Sequence, residues 1–180
     1  MKELFFVTGN DHKAREAATV LGVEVKRVKL DLDEIQSVDL RAVVEHKARQ
    51  AYQKLKQPLI VEDVSFEIKA LGGFPATFVR WFFDSMSYEA LCGLLRSERS
   101  VNYMVACGYY DGRQFSYFSS AMPGTIAQRP AGKTGFGFDV IFIPRGYSKT
   151  MAQLGDAVKL TKGPRIQSLK KLKRFLDKRP

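Results

Sequence analysis

Apolar residues recur along this chain in two alternating periods. From Glu3 to Val7 they form a short β-rich run, broken by Thr8-Gly9-Asn10. From Asp11 to Leu21, Ala14, Ala17, Ala18 and Leu21 fall on one helical face, and Gly22 stops it. Val23 to Leu30 alternates as a second strand. Val38 to Leu55 returns to helical spacing with Leu40, Val43, Val44, Lys47, Ala48, Ala51 and Leu55. Pro58 ends that unit, and Leu59-Ile60-Val61 reads as a buried strand. This β-α-β-α-β order predicts an α/β fold with a partly parallel sheet.

The second half changes character. Ser87 is placed to cap a helix running through Leu95. Val101 to Tyr110 and Arg113 to Ser120 flank Asp111-Gly112 and predict a β-hairpin, with Thr125 to Gln128 extending the sheet. A glycine-rich loop follows from Gly132 to Phe138, then an apolar stretch from Val140 to Ile143. Pro164 suits the first turn of a last helix that turns Ile166, Leu169, Leu172 and Leu176 inward. No repeat, low-complexity segment or linker interrupts the chain, so the expectation is a single two-lobed domain over residues 1–180.

Composition narrows the class. At 180 residues, with 45% hydrophobic and 27% charged residues, the chain can bury a core without a disulfide or metal staple. No apolar run approaches the ~20 residues of a membrane-spanning helix, and the opening MKELFFVTGNDHK lacks the apolar core of a signal peptide. A soluble cytoplasmic protein is expected. Cys92 and Cys107 form no CxxC pair and sit in apolar stretches, as buried free thiols do. The two histidines, His12 and His46, are far apart, which argues against a zinc site. Metal chemistry would fall to carboxylates, which suit magnesium.

The net charge of +10 is concentrated. Lys159 to Arg179 holds nine basic residues and one acid, Asp177, and reads as a basic C-terminal helix. Its first reading is a solvated face; its second is attraction for polyanions, either phosphate substrates or nucleic acid, the latter not favoured.

Three segments carry chemistry. Thr8-Gly9-Asn10-Asp11-His12-Lys13 lies between strand and helix, where free backbone N–H groups and the helix dipole favour an anion. Gly9 lets a ligand approach, Asn10 can cap, and Lys13 adds a charge within reach of a phosphate; a plain β-α turn uses the same residues. Glu62-Asp63 follows Leu59-Ile60-Val61 directly, at the predicted carboxyl end of a strand, where α/β proteins gather functional groups. A solvated strand end is the bland alternative. Glu34, in LDLDEIQS, can converge on the same place. In Gly132-Lys133-Thr134-Gly135-Phe136-Gly137-Phe138-Asp139 the aromatics can stack on a planar ring and Asp139 can accept hydrogen bonds from its edge, or the rings can simply enter the core. The spacing is not that of a Walker loop.

Taken together, VTGNDHKAREA (7–17), LDEIQS (32–37), LIVEDVSFEIKALGGFP (59–75), GFGFDVIFIP (135–144) and KTMAQL (149–154) resemble the inosine triphosphate pyrophosphatase family over nearly the full length. The resemblance implies an elongated mixed sheet flanked by helices, two lobes with the nucleotide in a central cleft, and a homodimer. It implies Mg²⁺-dependent cleavage of a nucleoside triphosphate between its α- and β-phosphates. By motif position, Thr8, Gly9, Asn10, Lys13 and Lys47 would hold phosphates. Glu34 and Asp63 would serve the metal, with Glu62 nearby, and Asp63 would also be the general base. Phe136, Gly137 and Phe138 would flank the base with Asp139 on its edge, and Lys159 and Arg165 would close over it. ITP, dITP and XTP are the implied substrates.

The chain departs from the family pattern at four places. Val64 replaces the usual Ser or Thr after the paired acids, Val140 replaces Pro, and Gln153 replaces an acid. Gly163-Pro164-Arg165 replaces Ser-His-Arg, removing two side-chain donors from base recognition. These changes touch specificity more than reaction type. They leave two alternatives: a catalytically weak nucleotide- or RNA-binding protein, or a pyrophosphatase for another modified nucleotide.

Overall fold

The computed structural model describes residues 4–135 and 137–179. The elements run β1 (Leu4–Val7), α1 (Asp11–Leu21), β2 (Val25–Val28), α2 (Leu40–Leu55), β3 (Leu59–Ile68), β4 (Pro75–Ala76), α3 (Val79–Ser85), α4 (Tyr88–Leu94), β5 (Ser100–Tyr110), β6 (Phe115–Ile126), β7 (Phe142–Pro144), α5 (Met151–Leu154), α6 (Asp156–Lys162) and α7 (Pro164–Leu176). The strands form a seven-stranded sheet in the order β2-β1-β3-β5-β6-β7, with β4 beside β3. β1 pairs parallel with β2 and β3, whereas β4 on β3 and β7 on β6 are antiparallel. The expected mixed α/β fold is therefore present.

The chain divides into two compact units. The first comprises the chain up to Asp63, Val105–Ser120 and Arg165 onward; the second comprises Val64–Met104 and Ala121–Pro164.

In the first unit, Leu4 and Phe6 of β1, Ala14, Ala17 and Leu21 of α1, Ile60, Cys107, Tyr109 and Leu169 and Leu172 of α7 make one buried cluster. Strand periodicity sends Gly108 to the opposite face, where a side chain would collide with Val44 of α2 and Phe115. Hence α1 and α7 cover one face of this part of the sheet and α2 the other. Each fully buried leucine of α7 contributes roughly 1.5–3 kcal/mol relative to exposure.

The second unit is built on aromatic packing. The Phe66 ring lies 4.2 Å from Phe138, 5.9 Å from Phe83, 6.0 Å from Phe142 and 6.4 Å from Tyr103. Arg99 fastens α4 to the sheet by donating to the carbonyls of Cys92 and Leu95 at the helix end and of Ile126 and Ala127.

Several sequence expectations change. The strand from Leu59 does not stop at Val61 but continues to Ile68, so Glu62 and Asp63 lie inside it rather than at its end. Buried cations make a carboxylate tolerable there. The basic C-terminal segment is not one helix: Gly163 separates α6 from α7, and the two belong to different units. Of the residues expected to extend the sheet beyond the hairpin, Thr125 and Ile126 are the end of the same strand β6, and Ala127 and Gln128 lie past it. Helices α3, α5 and α6 are additional; α3 and α6 lack a side-chain N-cap, which removes their start signal from the sequence. Both cysteines are buried and free. Burial pushes the Cys107 thiol up to about 12, which keeps it protonated and inert.

Candidate active site

The first unit assembles most of the charged candidates. At the start of α1 the Asn10 side chain accepts from the backbone N–H of His12 at 2.9 Å and of Lys13 at 3.3 Å, while Thr8 Oγ1 accepts from Asn10 N–H at 3.1 Å. Two of the N–H groups expected to meet a phosphate are thus already capped. Apart from its chain neighbours, a Cβ at Gly9 would meet no atom of the described residues within 4 Å, so the glycine leaves open room beside the turn.

Lys13 extends from the first turn of α1 to Glu62, Nζ to Oε1 3.0 Å. Arg165, at the start of α7, donates from Nε to both Glu62 oxygens at 3.1 and 2.9 Å and from Nη1 to Glu16 at 3.0 Å. The Glu62 side chain is 0% exposed and that of Arg165 5%. Burial alone would raise the Glu62 carboxyl; the charges of Lys13 and Arg165 outweigh it and hold the group below the ordinary glutamate range. Glu62 therefore organises two cations and is closed to solvent, which fits a positioning role rather than metal ligation.

Asp63 is the next residue along β3, so its side chain takes the opposite face. Its Oδ2 accepts from Lys47 Nζ at 2.6 Å, and the same ammonium lies 3.4 Å from Glu34 Oε1. Burial would lower the Lys47 pKa, but Asp63 and then Glu34 outweigh it and hold it above its ordinary 10.5. The predicted convergence of Glu34 on Asp63 is therefore present, with Lys47 between them. Among the described residues no group of three or more His, Cys, Asp or Glu side chains forms a metal cage. A carboxylate pair is nonetheless what Mg²⁺ requires when substrate phosphates and water complete its shell, so Glu34 and Asp63 fit that ion.

The second unit holds the aromatic loop. Asp139 is buried and ion-paired with Lys159 of α6 at 2.5 Å. Gly135 has φ +79°, and a Cβ there would lie 2.4 Å from Asp139 Oδ2, so only glycine permits this packing. Phe138 is half-buried and partly used as core, with Phe66 and with Tyr103 at 4.9 Å. Gly137 is exposed at φ +60°. Phe136 lies outside the described residues. Lys159 and Arg165, expected to act together on the base, are held by different carboxylates, Asp139 in the second unit and Glu62 with Glu16 in the first.

Two features escaped the sequence reading. Glu16 holds Arg165, and its signal was its position three residues after Lys13 on one helical face. The Gln153 departure is structurally conservative: its side chain accepts from Thr150 N–H at 3.0 Å while Thr150 Oγ1 accepts from Gln153 N–H at 3.3 Å, a complete capping box for α5.

The Ham1 family model matches residues 4–175. A dITP/XTP pyrophosphatase of Methanopyrus kandleri is 38% identical over 94% of this chain and 93% of its own length. An inosine triphosphate pyrophosphatase of Yarrowia lipolytica is 35% identical over 95% and 94% respectively. The solved structure of the Staphylococcus aureus Ham1 protein superposes with a TM-score of 0.86 at 25% identity, covering 98% of both chains. That of a HAM1 protein from Coxiella burnetii gives 0.88 at 24% identity over 99% of this chain and 100% of its own. The chain belongs to the Ham1 family.

Proposed function

We propose that this protein hydrolyses deaminated purine nucleoside triphosphates (ITP, dITP and XTP) to the nucleoside monophosphate and pyrophosphate, with Mg²⁺. The observation that carries the reading is the Glu34–Lys47–Asp63 cluster, in a chain whose relatives are named dITP/XTP and inosine triphosphate pyrophosphatases.

A triphosphate brings about four negative charges. Lys13 and Lys47, with the open turn at Gly9, supply cations and room for it. Bound at Glu34 and Asp63, the metal would neutralise charge on the phosphates. Asp63 takes the proton of the attacking water, the role open to a carboxylate within hydrogen-bond reach of it. Lys47 stays protonated and stabilises charge developing on the phosphate oxygens. Phe138 and Asp139 contact the base, and Asp139 is held ready by Lys159.

A binding protein without turnover is the weaker reading, because a binder gains nothing from two carboxylates gathered about a phosphate-reaching lysine. One functional domain, a homodimer and a cytoplasmic location complete the proposal. The two free thiols suit a reducing compartment, and among the described residues no helix is long and apolar enough to cross a membrane. Pyrophosphate release from ITP tests the activity. Asp63→Asn is expected to lower kcat by ~10²–10⁴ with the fold kept, and EDTA to abolish turnover. Near wild-type turnover in the variant would remove Asp63 from the mechanism; turnover in EDTA would remove the metal.

A further inference from the structure

Gly163-Pro164 leaves the base with fewer side-chain donors than the family pattern supplies. The second unit contains an uncommitted hydroxyl at the aromatic loop. Tyr88 opens α4 directly after its Ser87 cap, and its ring lies 5.0 Å from Phe83, which in turn lies 6.0 Å from Phe138. Its hydroxyl is 4.0 Å from where a side chain on Gly137 would begin. Among the described residues the hydroxyl has no hydrogen-bond partner, and the residue is half-buried with its oxygen open to solvent and to a ligand.

We infer that Tyr88 is a specificity-determining residue, whose hydroxyl donates a hydrogen bond to the 6-oxo group of the purine held by the Gly137–Asp139 loop. This rests on the proposed pyrophosphatase reading and adds a residue to it. Burial first, then the negative charges of Asp139 and Asp84, raise the phenol above its ordinary value of 10.0, so it remains a donor throughout the working pH range. Ser87 fixes the residue on a rigid element by accepting from Ala90 N–H at 3.1 Å, and Phe83 fixes the ring. A donor set in this way discriminates most against an analogue that lacks the acceptor, because its own hydrogen bond is then lost.

The test compares ITP with purine riboside 5′-triphosphate, which lacks the 6-oxo group, in the wild type and in Tyr88→Phe. The wild type should prefer ITP in kcat/KM. In Tyr88→Phe that preference should fall about tenfold, the size of one hydrogen bond, through a higher KM for ITP with kcat nearly unchanged. A purely structural role would lower both substrates together and leave the ratio intact. An unchanged ratio in a variant that still turns over ITP would overturn the assignment of Tyr88 alone. Failure of the wild type to release pyrophosphate from ITP would overturn the activity and this inference with it.

Discussion

Glu62 shows what a single buried carboxylate can do when its surroundings are chosen for it. It lies closed to water between Lys13 and Arg165, so Glu62→Gln leaves two cations without their shared partner. The expected loss is about 3–5 kcal/mol, the usual result of removing one member of a buried pair, measurable by denaturant unfolding. The pH dependence has a definite sign. The folded carboxyl ionises more readily than the unfolded one, so the folded chain binds fewer protons. Its contribution is complete above the ordinary value of 4.5 and is lost as pH falls below that value through the lowered one. Melting temperature should therefore fall more steeply below pH 4.5 in the wild type than in Glu62→Gln. The sequence marked Glu62 as one of two adjacent acids but could not say which would be buried. That follows from strand alternation and from the distant Arg165, a contact across more than a hundred residues.

At the scale of elements, the junction of α6 and α7 decides how the altered base-recognition segment is to be understood. A Cβ on Gly163 would lie 2.2 Å from the Lys159 carbonyl oxygen, the atom that accepts from Gly163 N–H at 3.0 Å to end α6. Glycine is thus required by the backbone as folded, and Pro164 begins the next helix. Gly163→Ser, which restores the family residue, is expected to cost at least 1–3 kcal/mol as overpacking does. It should lower the melting temperature by several degrees without raising the preference for ITP over GTP. An unchanged melting temperature with a raised preference would show that the junction yields easily. The first five elements were legible because their periods are clean and Asn10, Gly22 and Pro58 punctuate them. The length of β3 was not, because two acids look like an ending until their partners are known. The Asp139–Lys159 pair was equally hidden, since α6 carries no capping side chain to announce it.

Across the whole molecule the dominant quantity is charge. A net +10 attracts a triphosphate from beyond contact distance, and that attraction is screened as the Debye length shrinks from about 30 Å at 0.01 M salt to about 8 Å at 0.15 M. Steady-state kinetics should show kcat/KM for ITP falling several-fold over that range, while kcat at saturation stays constant. A flat profile would mean that the basic surface takes no part in capture. The path of the chain has a different consequence. One unit is assembled from three separated stretches and the other from two, so no continuous run of sequence encodes either. Neither can be moved into another protein as a cassette, nor lost by a clean truncation.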